Sequence, residues 1–198
     1  MEGILGLFAG TEVFIFVFME IVTRIKHIQR VIVKKAKWRD KAIFIVIFGG
    51  FSIFGTYAGI PLASGAVINI RDFAPMVAGV TAGPIIGLAV GLIGGIHRLL
   101  LGGFTCIPCG LATVLAGLIG GAIHYFKKGK LIGILQGVLL AVFVELLHGG
   151  LTLLISRPFA EAIEVVKIAI PAMMLANALG MAIAIIILEN TKKLREII

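Results

Sequence analysis

Charge is scarce in this sequence. Asp, Glu, Lys and Arg make up 14% of its 198 residues, against about 25% in an ordinary soluble domain. Cysteine is scarcer: Cys106 and Cys109 are the only two, too few for a disulfide scaffold. The basic residues cluster at segment ends rather than along a face with interleaved aromatics, so no nucleic-acid partner is expected. There is no heptad pattern, low-complexity tract or soluble linker. No Ser, His and acid spacing, Walker loop, HExxH or paired catalytic carboxylate occurs, and the chain is read as a non-enzyme without cofactor or metal. What fills the sequence is apolar: 60% hydrophobic residues and a mean hydropathy of +1.13. This is the composition of an integral membrane protein, with room for about six or seven spans of about 20 residues and for no soluble domain of size.

The net charge of +8 reports topology. Of the 18 basic residues, eight lie between Arg24 and Lys41, three between Lys127 and Lys130 and three between Lys192 and Arg195. The positive-inside rule places all three clusters on the cytoplasmic side. Met1 opens into apolar sequence without a basic n-region or small-residue cleavage site, so the first segment is expected to be a retained span. Expected spans are Ile4 to Val22, Ala42 to Ile60, Leu62 to Val80, Pro84 to Leu101, Phe104 to Phe126, Leu131 to Ile155 and Val166 to Glu189, with Ser156 to Glu164 as an outer segment. The fold expected is an all-α polytopic bundle of about seven transmembrane helices in the cell membrane, first end outside and last end cytoplasmic. A five-span arrangement with a re-entrant Gly-rich middle has the same parity. Residues 1–190 form the membrane domain, and 191–198 begin an amphipathic cytoplasmic exit helix.

Twenty-six glycines suit close helix packing, since small residues let helices approach where lipid supplies no hydrophobic force between them. Gly87, Gly91 and Gly95 share one helix face; Gly117 and Gly121 repeat the spacing. Such faces suit packing within the chain or a homodimer.

An ionisable group inside a span costs at least about 2.5–3.5 kcal/mol, so each marks a functional candidate. Asn69, Arg71 and Asp72 fall midway along the third expected span, and Pro75 just after them predicts a broken helix near the site. His97 and Arg98 lie near the outer end of the next, before Gly102-Gly-Phe-Thr-Cys-Ile-Pro-Cys-Gly110, which contributes Thr105, Cys106 and Cys109. On a helix Arg71 and Asp72 would point about 100° apart and not face one another. Two arginines without two matched acids favour a small carboxylate, which a guanidinium binds bidentately; the alternative pairs Arg71 with Asp72 and lets Arg98 snorkel. Cys106 and Cys109 have CxxC spacing without a second pair or redox context, and serve better as cavity lining than as metal or redox ligands. Glu145 and His148, three residues apart, share a face and form a candidate cavity lining or proton-sensitive element. Asn177 is an expected interhelical hydrogen bond, His124 and His27 read as interface residues, and Glu12 is isolated.

Gly65 to Asp72 with its N-x-R-D, Ala82-Gly-Pro84, Gly94-Gly-Ile-His-Arg98, Gly102-Gly103 and Gly117 to Gly121 together resemble the LytS–YhcK-type membrane sensor domain over nearly the whole chain. The resemblance implies the sensing part of a signalling receptor, coupled to a cytoplasmic output such as a histidine kinase. It implies pyruvate as a candidate ligand, with Arg71, Arg98 and Cys109 at the matching recognition positions. Where such receptors carry a serine shortly after that cysteine, this sequence has Ala112. The six spans after the first are also similar to the substrate-binding S-component of energy-coupling-factor vitamin transporters. That similarity implies a one-plus-six arrangement and a transporter subunit as the alternative function. A purely structural membrane anchor is the third class.

Overall fold

A computed structural model describes residues 2–62 and 66–197, with side chains from residue 10 to residue 195. Met1, Ile198 and Gly65, with which the first quoted motif begins, lie outside the described residues.

The apolar segments fold as helices because a backbone surrounded by lipid must satisfy its hydrogen bonds internally. In order they are α1 (Glu2–Val22), α2 (Lys26–Ile32), α3 (Trp38–Tyr57), α4 (Phe73–Ala82), α5 (Pro84–Leu101), α6 (Cys106–Phe126), α7 (Ile134–Ile155) and α8 (Phe159–Ile197), with a two-stranded antiparallel hairpin, β1 (Ile60–Pro61) and β2 (Val67–Ile68), between α3 and α4. Among the described residues, α3, α5, α6, α7 and α8 are long and apolar enough to cross a membrane. The all-helical membrane bundle is thus observed, with five candidate spans.

The third expected span is corrected. Leu62 to Val80 is not one helix broken at Pro75: the chain runs through the hairpin and an irregular stretch, and helix begins only at Phe73. Pro75 therefore stands in the first turn of α4, where the amide it lacks has no intrahelical partner to lose. Ten residues rise about 15 Å, half the depth of a bilayer core. Hydropathy misled here because the segment is apolar for a different reason: Ile70, Phe73, Met76 and Val77 are buried in protein, which is where irregular backbone is tolerated at membrane depth.

The chain's ends are also redrawn. Of the expected outer segment Ser156 to Glu164, only residues 156–158 lie outside helix, since α8 already starts at Phe159 and runs unbroken for 39 residues past Pro171 and across residues 190 and 191. Its length of about 58 Å far exceeds the hydrocarbon thickness, so part of the helix extends past any single crossing.

Glycine sets the closest helix crossing. α5 and α6 pack antiparallel, with Gly87 opposite Gly117, Gly91 against Thr113 O and Gly95 against Gly110 O. Gly79 brings α4 onto the same region of α6, against Gly117 O and Gly121 N. The glycine faces expected to pack within the chain or between chains are thus occupied within it. A Gly at residue 83 with φ +93° makes the reversal between α4 and α5, and Pro84 occupies the first position of α5.

One end of the bundle gathers α2, the start of α3, the end of α4, the start of α5 and the end of α6: Lys34, Lys41, Ala82 and His124 line a common cavity there, and Gly83 lies against His124. At that end Asp40, in the first turn of α3, is buried, accepting from Lys37 N–H at 2.8 Å and lying 2.5 Å from His27 Nδ1 and 3.3 Å from Arg30 Nη1. His27 is thus an interface residue between α2 and α3. The opposite end holds the hairpin, the α5–α6 turn and the α7–α8 turn, where Ser156 Oγ donates to Phe104 O.

Candidate functional site

Charge enters the bundle through the stretch that leads into α4. Asn69 shapes it: its Nδ2 donates to Val67 O at 2.7 Å and its Oδ1 accepts from Arg71 N–H at 3.0 Å. Ser52 Oγ of α3 donates to Arg71 O at 3.1 Å, and Gly55 leaves room for the backbone, since a Cβ there would lie 3.0 Å from Arg71 N and Cα. Arg71 and Asp72 are therefore held ahead of the first turn of α4, and the expected 100° divergence of neighbours on a helix does not apply. Arg71 Nε stands 3.6 Å from Asp72 Oδ1, and Thr113 Oγ1 of α6 joins them, accepting from Arg71 Nε at 2.6 Å and donating to Asp72 Oδ1 at 2.5 Å. Both charged residues are 0% exposed, and pairing is what allows a charge at this depth.

Asp72 is shared with α7. His148 Nδ1 lies 3.2 Å from Asp72 Oδ2 and 3.4 Å from Glu145 Oε2, while its Nε2 lies 3.1 Å from Cys109 Sγ. Glu145 Oε1 in turn accepts from Asn177 Nδ2 of α8 at 2.8 Å, and Asn177 also donates to Met173 O. All of these groups are buried. Asp72, Glu145 and His148 each offer one ligand atom, all within 4.8 Å of one another, the closeness a cation would need. Arg71 already supplies positive charge to Asp72, and a proton on His148 would serve both carboxylates.

Arg98, 2% exposed, closes the chain on the side of α5. Its Nη1 donates to Gly102 O and its Nη2 to Thr105 Oγ1 at 3.3 Å, so it grips the α5–α6 turn and does not snorkel outward. Thr105 O also accepts from Cys109 N–H at 3.0 Å. A run of buried polar groups thus crosses the bundle from Asn177 through Glu145, His148, Cys109 and Thr105 to Arg98, with a branch through Asp72 and Thr113 to Arg71. Along it, Arg71 Nη1 and Arg98 Nε are buried without a hydrogen-bond partner. A buried donor left unpaired costs about 1–3 kcal/mol.

Of the residues singled out from sequence, Asn69, Arg71, Asp72, Arg98, Thr105, Cys109, Glu145, His148 and Asn177 come together here. His97 and Cys106 do not join them. His97 is half-buried, with Nε2 3.2 Å from the Tyr57 hydroxyl and Nδ1 buried without a hydrogen-bond partner. Cys106 is half-buried, and both cysteines are free thiols. Glu12 faces inward from α1 with its carboxylate unpartnered. Thr113 and Ser52 were missed. Thr113 lies four residues after Cys109 and so on its face of α6, the one signal available. A small cleft of about 30 Å³ opens beside the hairpin, bounded by Ala58, Ile60, Ile68, Asn69 and Ala176.

The family described as 5TMR of 5TMR-LYT matches residues 25–191. Sensor protein LytS of Bacillus anthracis is 36% identical over 178 residues, covering 81% of this chain and 30% of that protein. Sensor histidine kinase BtsS of Escherichia coli (strain K12) is 29% identical over 161 residues, 79% of this chain and 28% of that protein. Sensor histidine kinase YpdA of the same strain is 35% identical over 143 residues, 71% of this chain and 25% of that protein. The chain thus spans under a third of the length of these curated relatives. No solved structure matches.

Proposed function

The chain belongs to the LytS-type five-transmembrane sensor family, and on that premise we propose that it senses a small carboxylate, pyruvate or a close analogue, from outside the membrane. The observation that carries the ligand class is the pair of buried guanidiniums, Arg71 and Arg98, each with an unpartnered nitrogen and each rooted in one polar run past Cys109. A carboxylate satisfies two such donors at once.

In this proposal the three basic clusters mark the cytoplasmic side. The chain crosses seven times, the hairpin stretch and α4 together making one crossing that is half irregular and half helical. The ligand enters at the end bearing the hairpin and the α5–α6 turn. Engaging Arg71 and Arg98 alters their hold on Asp72 and Thr105, and His148 and Glu145 relay the change to Asn177 on α8. Because α8 is continuous to Ile197, a shift at Asn177 moves the exit segment. The ligand biases that equilibrium only by its differential affinity for the two states. The output would be a cytoplasmic kinase of the sort named in the relatives, and the chain itself supplies no catalytic group.

Two results are expected. Pyruvate should raise the melting temperature of the solubilised chain, with saturation, while pyruvamide of the same shape should not; equal shifts by acid and amide, or a shift with a vitamin alone, would defeat the carboxylate assignment. In a Cys106→Ser, Cys109→Ser background, a cysteine replacing Ala160 should react with an impermeant maleimide added to whole cells, and one replacing Lys128 should not. The reverse pattern would invert the topology.

A further inference from the structure

A second set of polar groups converges at the basic end of the bundle, remote from the arginine network. A cavity of about 190 Å³ opens there between the ends of α2, α4 and α6 and the start of α3, lined by Lys34, Lys41, Thr81 and His124 with Val31 and Ala82. Thr81 is 4% exposed, and its hydroxyl has no hydrogen-bond partner, although a helical threonine commonly returns its hydroxyl to the carbonyl four residues back. His124 Nδ1 faces Val80 O at 2.9 Å, so the ring offers Nε2. A Cβ on Gly129 would lie 2.5 Å from Lys34 Nζ and 3.3 Å from His124 Nε2, so these two nitrogens flank one point. Lys34 is held at φ +60°, an uncommon backbone conformation for a side-chain-bearing residue.

Among the described residues, no acid lines this cavity. The nearest in sequence, Asp40, is turned toward α2 and occupied by Lys37 N–H, His27 and Arg30. Helix ends do not account for the positive field, since the carbonyl ends of α2, α4 and α6 offset the amide ends of α3 and α5 here. The side chains alone make the site cationic, and the orphan hydroxyl adds a neutral donor: together they form a cradle for a tetrahedral oxyanion.

Which oxyanion follows from where the cavity leads. Past His124 it continues into a broad surface groove lined by Tyr125, Phe126, Lys128 and Gly129. The two rings are 71% and 79% exposed. Exposed aromatic rings beside lysines at the end of an apolar helix belong at the headgroup level of a bilayer. We propose that the cavity takes the phosphate of an anionic phospholipid from the leaflet at the basic end. Lys34 and Lys41 hold its charge, Thr81 Oγ donates to it, His124 adds an Nε2–H donor only when its ring carries a second proton, and the glycerol and chains lie along Tyr125 and Phe126. The site is independent of the carboxylate reading and stands or falls apart from it.

The test uses the purified full chain in detergent and native mass spectrometry with dioctanoyl phosphatidylglycerol, dioctanoyl phosphatidylcholine and inorganic phosphate. Phosphatidylglycerol should be retained over phosphatidylcholine, whose choline the lysines repel, by about tenfold, the scale of one charge-assisted hydrogen bond. Thr81→Val should keep the melting temperature and weaken phosphatidylglycerol retention, and Lys34→Gln with His124→Gln should abolish the preference. Equal retention of the two lipids overturns the proposal. So does a Lys34→Gln, His124→Gln variant that melts lower yet keeps the preference, because those residues would then only neutralise the carbonyl ends of α4 and α6. Complete displacement of the lipid by inorganic phosphate would make this a free-phosphate site and refute the lipid assignment.

Discussion

Gly117→Ala should cost about 3 kcal/mol or more of stability, beyond the ordinary range for overpacking. The new Cβ would be driven into Gly87 O and C, backbone atoms on a rigid helix that cannot rotate away. Relief requires α5 and α6 to separate, which would loosen Gly91 against Thr113 and Gly95 against Gly110 along the same seam. Since Thr113 bridges Arg71 and Asp72, the variant should also lose ligand response at temperatures where it remains folded. Gly50→Ala is the control: nothing lies within 4 Å of its Cβ position, and replacing a mid-helix glycine there should be neutral or stabilising by about 0.5–1 kcal/mol. Thermal unfolding of the two variants in the same detergent checks this. A Gly117→Ala protein as stable as Gly50→Ala would mean that the α5–α6 contact is not the close crossing described.

Asp72→Asn should destabilise the chain by about 3–5 kcal/mol, the usual cost of removing one partner from a buried charge pair. The loss is large because Asp72 serves three partners: Arg71 at 3.6 Å, the Thr113 hydroxyl and His148 at 3.2 Å. Asparagine keeps the shape but leaves Arg71 charged and uncompensated. Pairing the change with Arg71→Met removes the orphaned charge, so the double variant should recover much of the loss, and the coupling in the cycle should be large. Chemical denaturation of the four proteins measures it. Additive losses would mean that Arg71 and Asp72 are balanced separately and that the polar run is not one unit.

The sequence already displayed the membrane class, the basic helix ends and most of the polar residues, because each has a one-dimensional signal. Basic clusters mark helix ends whatever the packing, and an Arg or Glu amid apolar neighbours is conspicuous. The backbone at Leu62 to Asp72 was not legible, since hydropathy registers burial and a loop wrapped in protein is as apolar as a helix wrapped in lipid. The Arg71–Asp72 contact followed that error, as their geometry was inferred from a helix that starts only at Phe73. Thr113 was hidden for another reason: a threonine in a membrane helix commonly bonds its own backbone, and Thr113 does approach Cys109 O at 2.9 Å, so nothing in the sequence marks its second role between Arg71 and Asp72. The glycine spacing predicted a tight face but not its partner. The antiparallel match of Gly87 with Gly117 depends on the length of the α5–α6 turn.

The carboxylate clamp is tested most directly by calorimetric titration of pyruvate into the solubilised chain and into Arg71→Lys, Arg98→Lys and Arg157→Lys variants. Lysine keeps the positive charge but loses the planar fork that meets both carboxylate oxygens. Arg71→Lys and Arg98→Lys should each weaken binding by about tenfold or more, the loss of one charge-assisted hydrogen bond. Arg157, whose guanidinium donates only to Leu153 O and Ser156 O at the α7–α8 turn, should be silent. Pyruvate binding as tight in Arg71→Lys and Arg98→Lys as in the parent would contradict the clamp and leave both arginines as structural charges.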